Sequence, residues 1–198
     1  ELCSRCVCEG KEIMPYQNGD KYESYMKMAY AMAELSPDED TQVGAIMLSP
    51  EGRIISSSFN GFLRGAPDHE IPSNREDKCK HGHDKYTYMQ HAERNMIYNC
   101  AYQGIQAKDS TIICTLSPCV DCLRACFQAG VSMIIFDKLY KSFPSTDFYK
   151  ELPDVHVYVD KDVMGTGFTA LQMITKSEWD ELERSRKMLE ALPKVLKG

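Results

Sequence analysis

Two short clusters of metal-ligating side chains are the feature that most restricts how this sequence can fold. His91-Ala92-Glu93 and Pro118-Cys119-Val120-Asp121-Cys122 each stand at the start of a segment with helical spacing of apolar residues, and His91 and Cys119 are 28 positions apart. One imidazole and two thiolates suit tetrahedral zinc and leave a fourth position for water, as in catalytic sites. The fold must therefore bring the starts of two helices together.

The position of Glu93 adds a proton-transfer group to this predicted metal site. Helix N-termini carry free backbone N–H groups that stabilise thiolates and developing negative charge. Zinc lowers the pKa of bound water, and Glu93 is two residues after His91, where it can move that water's proton to a leaving group. We therefore predict Glu93 as the catalytic residue and His91, Cys119 and Cys122 as metal ligands. The alternative is a structural zinc knuckle with a solvated Glu93.

Apolar periodicity elsewhere predicts an α/β fold of one layered domain. The predicted helices are Lys21 to Leu35, His91 to Tyr102, Pro118 to Ala129, capped by Gly130, and Ser177 to about Leu192. The predicted strands are Val43 to Leu48, Arg53 to Phe59, Thr111 to Thr115, Ser132 to Phe136 and Val155 to Val159, with Asp160 to Thr175 unassigned. Strands that alternate with helices indicate an α/β sheet of five strands.

The domain prediction covers the whole chain. A length of 198 residues is in the single-domain range, and no segment has the composition of a linker. We predict one domain over 1–198, with a core at about 22–137, a cysteine-rich N-terminal extension at 1–20 and a C-terminal extension that contains the helix at about 177–192.

Charge and hydropathy restrict the partners and the compartment. The chain has 23 Lys and Arg residues against 29 Asp and Glu residues, a net charge of −6, which disfavours a protein that follows a nucleic-acid backbone. No apolar run reaches the length of a membrane span, and the first residues lack the pattern of a signal peptide. We expect a small-molecule substrate and no nucleic-acid or membrane partner. Because the cysteines are grouped at metal-ligand spacing, we also expect a reducing compartment, the cytoplasm, which is that of the host if the source is viral.

The remaining cysteines leave a second metal site open. The long polar stretch from Asn60 to Gln90 is a candidate substrate loop. Its ligand-type residues and those of the N-terminus are Cys79, His81, His83, Cys3, Cys6 and Cys8. These residues are enough for a closed structural zinc, and the alternative is exposed thiols and surface histidines. Cys100, Cys114 and Cys126 lie inside predicted helices or strands, where we expect buried, inert thiols.

Together, the His-x-Glu and Pro-Cys-x-x-Cys motifs form the signature of zinc-dependent nucleobase deaminases. Further motifs resemble the deoxycytidylate (dCMP) deaminase family of the cytidine deaminase-like superfamily. They are Thr41-Gln42-Val43-Gly44-Ala45, Phe59-Asn60-Gly61, His91-Ala92-Glu93-Arg94-Asn95, Ser117-Pro118-Cys119-Val120-Asp121-Cys122 and Gln128-Ala129-Gly130-Val131. The resemblance covers roughly Tyr22 to Asp137.

This resemblance implies a three-layer αβα sandwich with helices on both faces of a mixed sheet, and hydrolysis of dCMP to dUMP with release of ammonia. It implies zinc bound by His91, Cys119 and Cys122, with Glu93 as proton shuttle. It also implies a homo-oligomer, often a hexamer, and regulation by dCTP and dTTP. The product, dUMP, supplies thymidylate synthesis in this family.

The resemblance also assigns substrate contacts. Asn60 would bind the sugar hydroxyl, although Asn before Gly at a strand end is otherwise a turn residue. The Ala92 N–H and the Ser117 carbonyl would orient the pyrimidine edge, and Tyr140 would lie near the base, with ordinary packing as its alternative. Leu63 replaces a proline that is common in the family, which leaves regulation and the phosphate number open.

The phosphate site and the wider function class also have alternatives. Arg64, Arg94 and Lys138 are the basic residues nearest to the motifs, and each has a solvated surface charge as its alternative role. The close alternative function is a dCTP or dual dCMP/dCTP deaminase. A tRNA or single-strand deaminase would share the zinc motifs but show a basic surface. A zinc-stapled interaction module would have no use for Glu93.

Overall fold

The structure is a computed structural model that describes residues 7–8, 11–12, 19–140, 155–160, 168–175, 181 and 184, and the account below is confined to them. The helices are α1 (Gly19–Ala33), α2 (Ala92–Gln103) and α3 (Val120–Gln128). The strands are β1 (Val7–Cys8), β2 (Lys11–Glu12), β3 (Gly44–Leu48), β4 (Ile54–Phe59), β5 (Gly61–Phe62), β6 (Met89–Gln90), β7 (Thr111–Leu116), β8 (Met133–Lys138), β9 (Val155–Asp160) and β10 (Thr169–Thr175). None of these helices is long and apolar enough to cross a bilayer.

Six strands form the central sheet, in the order β4-β3-β7-β8-β10-β9. β7 and β8 run parallel, and the other neighbouring pairs are antiparallel. The predicted α/β class and mixed sheet are confirmed. Each of the five predicted strands is present, and β10, from the segment that the periodicity left unassigned, adds a sixth between β8 and β9.

The helices cover both faces of the sheet. Alternate residues of a strand point to opposite faces, so Ile46 packs with α1 while Met47 packs with α2. The apolar face of α1 contributes Tyr22, Met26 and Ala29 to one core layer. On the other face, Met96 of α2 and Leu123 of α3 pack against strand residues. This arrangement is the predicted three-layer sandwich.

Most predicted boundaries agree with the structure to within two or three residues. α2 begins one residue after His91, and α3 begins one residue after Cys119. Gly130 follows α3 with a φ of 83°, which agrees with its predicted capping role. Cys100, Cys114 and Cys126 are buried, as predicted. The helix predicted from Ser177 to Leu192 lies outside the described residues, apart from 181 and 184.

Gly44 allows α1 to approach the sheet closely. A Cβ atom at this position would lie 2.0 Å from the Ala29 carbonyl oxygen and 2.4 Å from the Ala33 amide nitrogen. Both neighbours are backbone atoms, which a rotamer change cannot move away. The glycine of the Thr41-Gln42-Val43-Gly44-Ala45 motif therefore sets the distance between α1 and β3.

Gly44→Ala is expected to lower the free energy of unfolding by about 1–3 kcal/mol, because the added methyl group pushes α1 away from β3. Urea unfolding followed by circular dichroism measures this change. Ala31→Ser, on the exposed face of α1, is the control and should change the stability by less than about 0.5 kcal/mol. Equal midpoints for Gly44→Ala and the parent would contradict the close approach.

Candidate functional site

The fold brings the three predicted metal ligands to one point. His91 Nδ1 lies 3.5 Å from Cys119 Sγ and 3.5 Å from Cys122 Sγ. The ligand atoms of all three residues lie within 4.8 Å of one another. Tetrahedral zinc, with Zn–N of about 2.0–2.1 Å and Zn–S of about 2.3 Å, places nitrogen and sulfur roughly 3.5 Å apart. The donor set and its spacing therefore fit zinc.

Two helix N-termini position these ligands. His91 is the N-cap residue of α2 and Cys119 is the N-cap residue of α3, each with extended backbone dihedral angles. Within residues 19–140, neither side chain caps its own helix, so both remain available as ligands. Cys122 lies in the first turn of α3 and is fully buried. The positive ends of both helix dipoles point toward the thiolates.

The pKa values of the thiols reflect this clustering. The pKa of Cys119 is lowered to about 3, chiefly because the Cys122 thiol donates a hydrogen bond to its sulfur, with a further contribution from His91. The pKa of Cys122 is raised, because it is the donor in that bond and is also buried. One thiolate is thus already favoured by the protein, and a divalent cation would favour the second.

Glu93 is buried next to the ligand group. Its side chain is in the first turn of α2 and the residue is only 3% exposed. Burial raises the pKa of its carboxyl group. The group of three potential ligands in the described residues does not include Glu93. Its role as a proton carrier that does not coordinate the metal stays a prediction.

An open cleft leads to these residues. Seven of the eight predicted catalytic, metal and substrate residues line it: Asn60, His91, Ala92, Glu93, Ser117, Cys119 and Tyr140. Cys122 lies behind them in the core. The arrangement places three potential metal ligands, an acid–base group and polar groups around one concave surface, which suits a small substrate.

Asn60 is held by three hydrogen bonds of its side chain. Its Nδ2 donates to the Thr41 carbonyl (2.8 Å) and to Asp38 Oδ2 (3.2 Å), and its Oδ1 accepts from the Val43 amide (2.7 Å). Asn60 does not have the positive φ that its interpretation as a turn residue would use. One lone pair of Oδ1 remains, so the oxygen can accept a hydrogen bond from a ligand hydroxyl.

Lys85 is a cleft residue that the sequence analysis did not identify. Its side chain is 1% exposed, and its Nζ lies 2.5 Å from Asp38 Oδ1 and 2.7 Å from Asp40 Oδ2. Burial alone would lower its pKa, but the hydrogen bonds to the two carboxylates raise it. Lys85 therefore stays charged. Its ion pair connects the polar stretch from Asn60 to Gln90 to Asp38, which holds the Asn60 side chain. No local pattern in the sequence distinguishes this lysine from a surface lysine.

A hydrogen bond between backbone and side chain joins Tyr140 to Ser117. The Tyr140 amide donates to Ser117 Oγ (2.8 Å), and the Ser117 amide donates to the Lys138 carbonyl (2.8 Å). These bonds tie the segment after β7 to the segment after β8. Tyr140 is 39% exposed and lines the cleft, and its place beside a base stays a prediction.

The predicted phosphate residues lie elsewhere. The Arg64 guanidinium packs 4.0 Å from the Tyr102 ring, and the Lys138 ammonium lies 5.2 Å from the Tyr30 ring. Arg94 Nε is buried without a hydrogen-bond partner in the described part of the chain. None of the three lines the cleft. The basic residues that do line the cleft, Lys85 and Arg75, are not among these three.

Only some residues of the candidate second metal site lie within the described part of the chain. Among the described residues, Cys79, His81 and His83 do not form a group of three converging ligands. They share a tight turn in which the Cys79 amide donates to the His83 carbonyl (2.8 Å). Cys3 and Cys6, and the side chain of Cys8, lie outside the described part of the chain.

Comparison with known proteins gives consistent matches. Residues 20–138 match the family model of the cytidine and deoxycytidylate deaminase zinc-binding region. The deoxycytidylate deaminase of Pongo abelii is 34% identical over 126 residues, which are 63% of this chain and 69% of that protein. The deoxycytidylate deaminase of Enterobacteria phage T4 is 26% identical over 161 residues, with 64% of this chain and 83% of that protein covered.

A solved structure matches both in fold and in sequence. The dCMP deaminase from the cyanophage S-TIM5, crystallised in complex with dCMP and dUMP, superposes with a TM-score of 0.58 at 26% identity. The match covers 69% of this chain and 95% of that chain.

Cys122→Ala is expected to lose about one zinc ion per chain, because the remaining His91 and Cys119 are too few to hold the metal firmly. Inductively coupled plasma mass spectrometry on the purified protein measures the zinc content. Cys126→Ala removes another buried thiol of α3 that is not in the ligand group, and it should keep the zinc of the parent. Equal zinc content in both variants would contradict the ligand assignment.

Proposed function

The chain belongs to the cytidine and deoxycytidylate deaminase family, and we propose that it hydrolyses dCMP to dUMP with release of ammonia. The observation that carries this proposal is the open three-ligand group beside the buried Glu93 at the cleft. The named relatives are deoxycytidylate deaminases, and the cyanophage relative binds dCMP and dUMP.

The chain supplies two parts of the chemistry. His91, Cys119 and Cys122 would hold zinc, which when bound lowers the pKa of water and makes it nucleophilic toward C4 of cytosine. The Glu93 carboxylate takes a proton from the attacking water and delivers it to the leaving amino nitrogen, so that ammonia departs. Burial of Glu93 keeps bulk water from competing for that proton.

Other groups that line the same cleft orient the substrate. The Ala92 N–H belongs to the first turn of α2, where backbone donors have no partner within the helix. We assign it, with the Ser117 carbonyl, to the pyrimidine edge, and Tyr140 to the side of the base. Asn60 Oδ1 accepts a hydrogen bond from the sugar hydroxyl. The Asp38 and Thr41 contacts hold the Asn60 amide in the orientation that this requires.

The other function classes fit these residues less well. An interaction module gains nothing from burying the Glu93 carboxyl beside a metal site, since burial of an ionisable group costs free energy. A polymer deaminase would need a basic surface, whereas this chain has a net charge of −6. Turnover assays with dCMP, dCTP, deoxycytidine, cytidine and single-stranded DNA test the proposal. Preference for dCTP would indicate the dCTP deaminase alternative, and turnover of none would contradict the proposal.

Glu93→Gln is expected to lower kcat for dCMP by about 10²–10⁴-fold, because the amide cannot transfer the proton. Its zinc content and unfolding midpoint should equal those of the parent, which separates a catalytic from a structural effect. Glu34→Gln makes the same chemical change at an exposed position after α1 and should leave kcat unchanged. Normal turnover by Glu93→Gln would exclude the assigned mechanism.

We also propose a cytoplasmic homo-oligomer, a hexamer, regulated by dCTP and dTTP. Tyr98 and Tyr102 support self-association, since they lie one helical turn apart on α2 and are 51% and 71% exposed. Leu63 is also exposed. Light scattering after size-exclusion chromatography, with and without each nucleotide, measures the assembly and its response.

We propose a second, structural zinc bound by Cys79, one or both of His81 and His83, and N-terminal thiols among Cys3, Cys6 and Cys8. Burial raises the pKa of Cys79, but hydrogen bonds from the His81 and His83 amides to its sulfur lower the pKa below the usual range. Such N–H to sulfur bonds favour a thiolate ligand. Cys8 lies on β1, which pairs with β2 in a short hairpin.

The parent protein is therefore expected to contain about two zinc ions per chain, and Cys79→Ser about one, with dCMP turnover retained at moderate temperature. Mass spectrometry and thermal unfolding measure the metal content and the stability. If the parent protein contains a single zinc ion and Cys122→Ala loses it, the second site is contradicted. The assignment of the catalytic site would still stand.

A further inference from the structure

Lys85 is a fully buried lysine in the wall of the cleft. Its side chain is 1% exposed, and it lines the cleft together with Asp38 and Asn60. Taking an ammonium group and a carboxylate out of water is costly, and replacing such a buried pair with apolar residues is often neutral or even stabilising. Stability alone therefore does not explain a lysine at this position.

Asp38 is the residue through which Lys85 acts on the cleft. The Lys85 ammonium lies 2.5 Å from Asp38 Oδ1, which also accepts hydrogen bonds from the amides of Asp40 (2.8 Å) and Thr41 (3.0 Å). The other oxygen, Oδ2, accepts from Asn60 Nδ2 at 3.2 Å. Three donors thus hold one carboxylate oxygen and direct the other at Asn60. Lys85 is the donor of opposite charge among them, so its loss would release the carboxylate most.

The orientation of the Asn60 amide depends on this carboxylate. Its Nδ2 donates to two acceptors, Asp38 Oδ2 and the Thr41 carbonyl, while its Oδ1 accepts from the Val43 amide at 2.7 Å. An amide turned by half a rotation would place its oxygen against both acceptors, where no hydrogen bond can form. The network therefore fixes Oδ1 as the atom of Asn60 with a lone pair left for a ligand.

The β5–β6 ladder places Asn60 close to the metal ligand His91. Gly61 pairs with Gln90 in this antiparallel ladder, so the residue before Gly61 and the residue after Gln90, Asn60 and His91, lie at the same end of it. Lys85 begins the short 3₁₀ turn that precedes β6. The same segment thus carries the lysine that holds Asn60 and leads directly into the metal ligand.

We propose that Lys85 is a positioning residue for recognition of the sugar: through Asp38 it holds Asn60 Oδ1 where this atom accepts a hydrogen bond from the 3′-hydroxyl of the nucleotide. This inference rests on the proposed function. A 2′-deoxynucleotide phosphorylated at its 5′ carbon has one free sugar hydroxyl, at the 3′ carbon. The competing interpretation is that Lys85 only fastens the loop, in which case its loss would affect substrates with and without this hydroxyl equally.

The test compares kcat/KM for dCMP and for 2′,3′-dideoxycytidine 5′-monophosphate, which lacks the 3′-hydroxyl. Lys85→Met keeps a long unbranched side chain and removes the charge. It should lower kcat/KM for dCMP by about 5- to 50-fold, as expected when one hydrogen bond in a cleft is misplaced. The value for the dideoxynucleotide should change by less than about twofold, because the contact that Lys85 supports is already absent.

Two further variants separate positioning from folding. Lys85→Met combined with Asp38→Asn buries no unpaired charge, so it tests the proposal even if Lys85→Met alone unfolds. One asparagine oxygen cannot serve both the loop amides and Asn60 Nδ2, so the same selective loss is expected. Lys78→Met removes the lysine of an exposed ion pair in the same polar stretch, with Asp84 at 3.0 Å, and should match the parent on both nucleotides.

Calorimetric titration with dUMP and with its 2′,3′-dideoxy analogue gives a readout that does not need turnover. Lys85→Met, or its combination with Asp38→Asn, should weaken the binding of dUMP alone. Equal losses for the two nucleotides, or a parent that does not distinguish them, would overturn the assignment. A parent that binds both nucleotides but deaminates neither substrate would contradict the proposed function, and the titrations would still decide the role of Lys85. A parent that binds neither would overturn both.

Discussion

The meeting of two helix N-termini on one face of the sheet is the constraint on which the site depends. His91 and Cys119 are the N-cap residues of α2 and α3. The packing of these helices against the central strands sets the distance of 3.5 Å between His91 Nδ1 and Cys119 Sγ. Core side chains such as Met96 and Leu123 hold the helices in that position. The free N–H groups and the helix dipoles then favour the thiolates. Metal binding is therefore a property of the packing as much as of the ligands.

The buried ion pair of Lys85 with Asp38 is the second determinant of the cleft. A buried lysine without a partner would be costly, so this contact fixes how the polar loop lies against the segment before β3. Asp38 also holds the Asn60 amide, which links the position of the loop to the orientation of the Asn60 side chain. Arg75 extends the same network toward solvent through its ion pair with Asp40. One connected set of polar residues thus runs from Asn60 in the cleft to the exposed surface.

The metal site could be predicted from the sequence because each of its parts is local. His91 and Glu93 share one helix start, and Cys119 and Cys122 share another. β10 was not predicted, since the segment Asp160 to Thr175 lacks a clear strand pattern and its place depends on distant partners. Lys85 and Arg75 gave no local signal either. Their acidic partners precede them by 35 to 47 positions, so only the fold reveals which cations belong to the cleft.

Anomalous diffraction at the zinc edge from crystals grown with dUMP tests the central claim most directly. The account predicts a peak about 2.0–2.3 Å from His91 Nδ1, Cys119 Sγ and Cys122 Sγ, with the fourth position open to the cleft beside an uncoordinated Glu93. A fourth protein ligand at that position, whether Glu93 or another side chain, would make the site a closed structural one and would contradict the account.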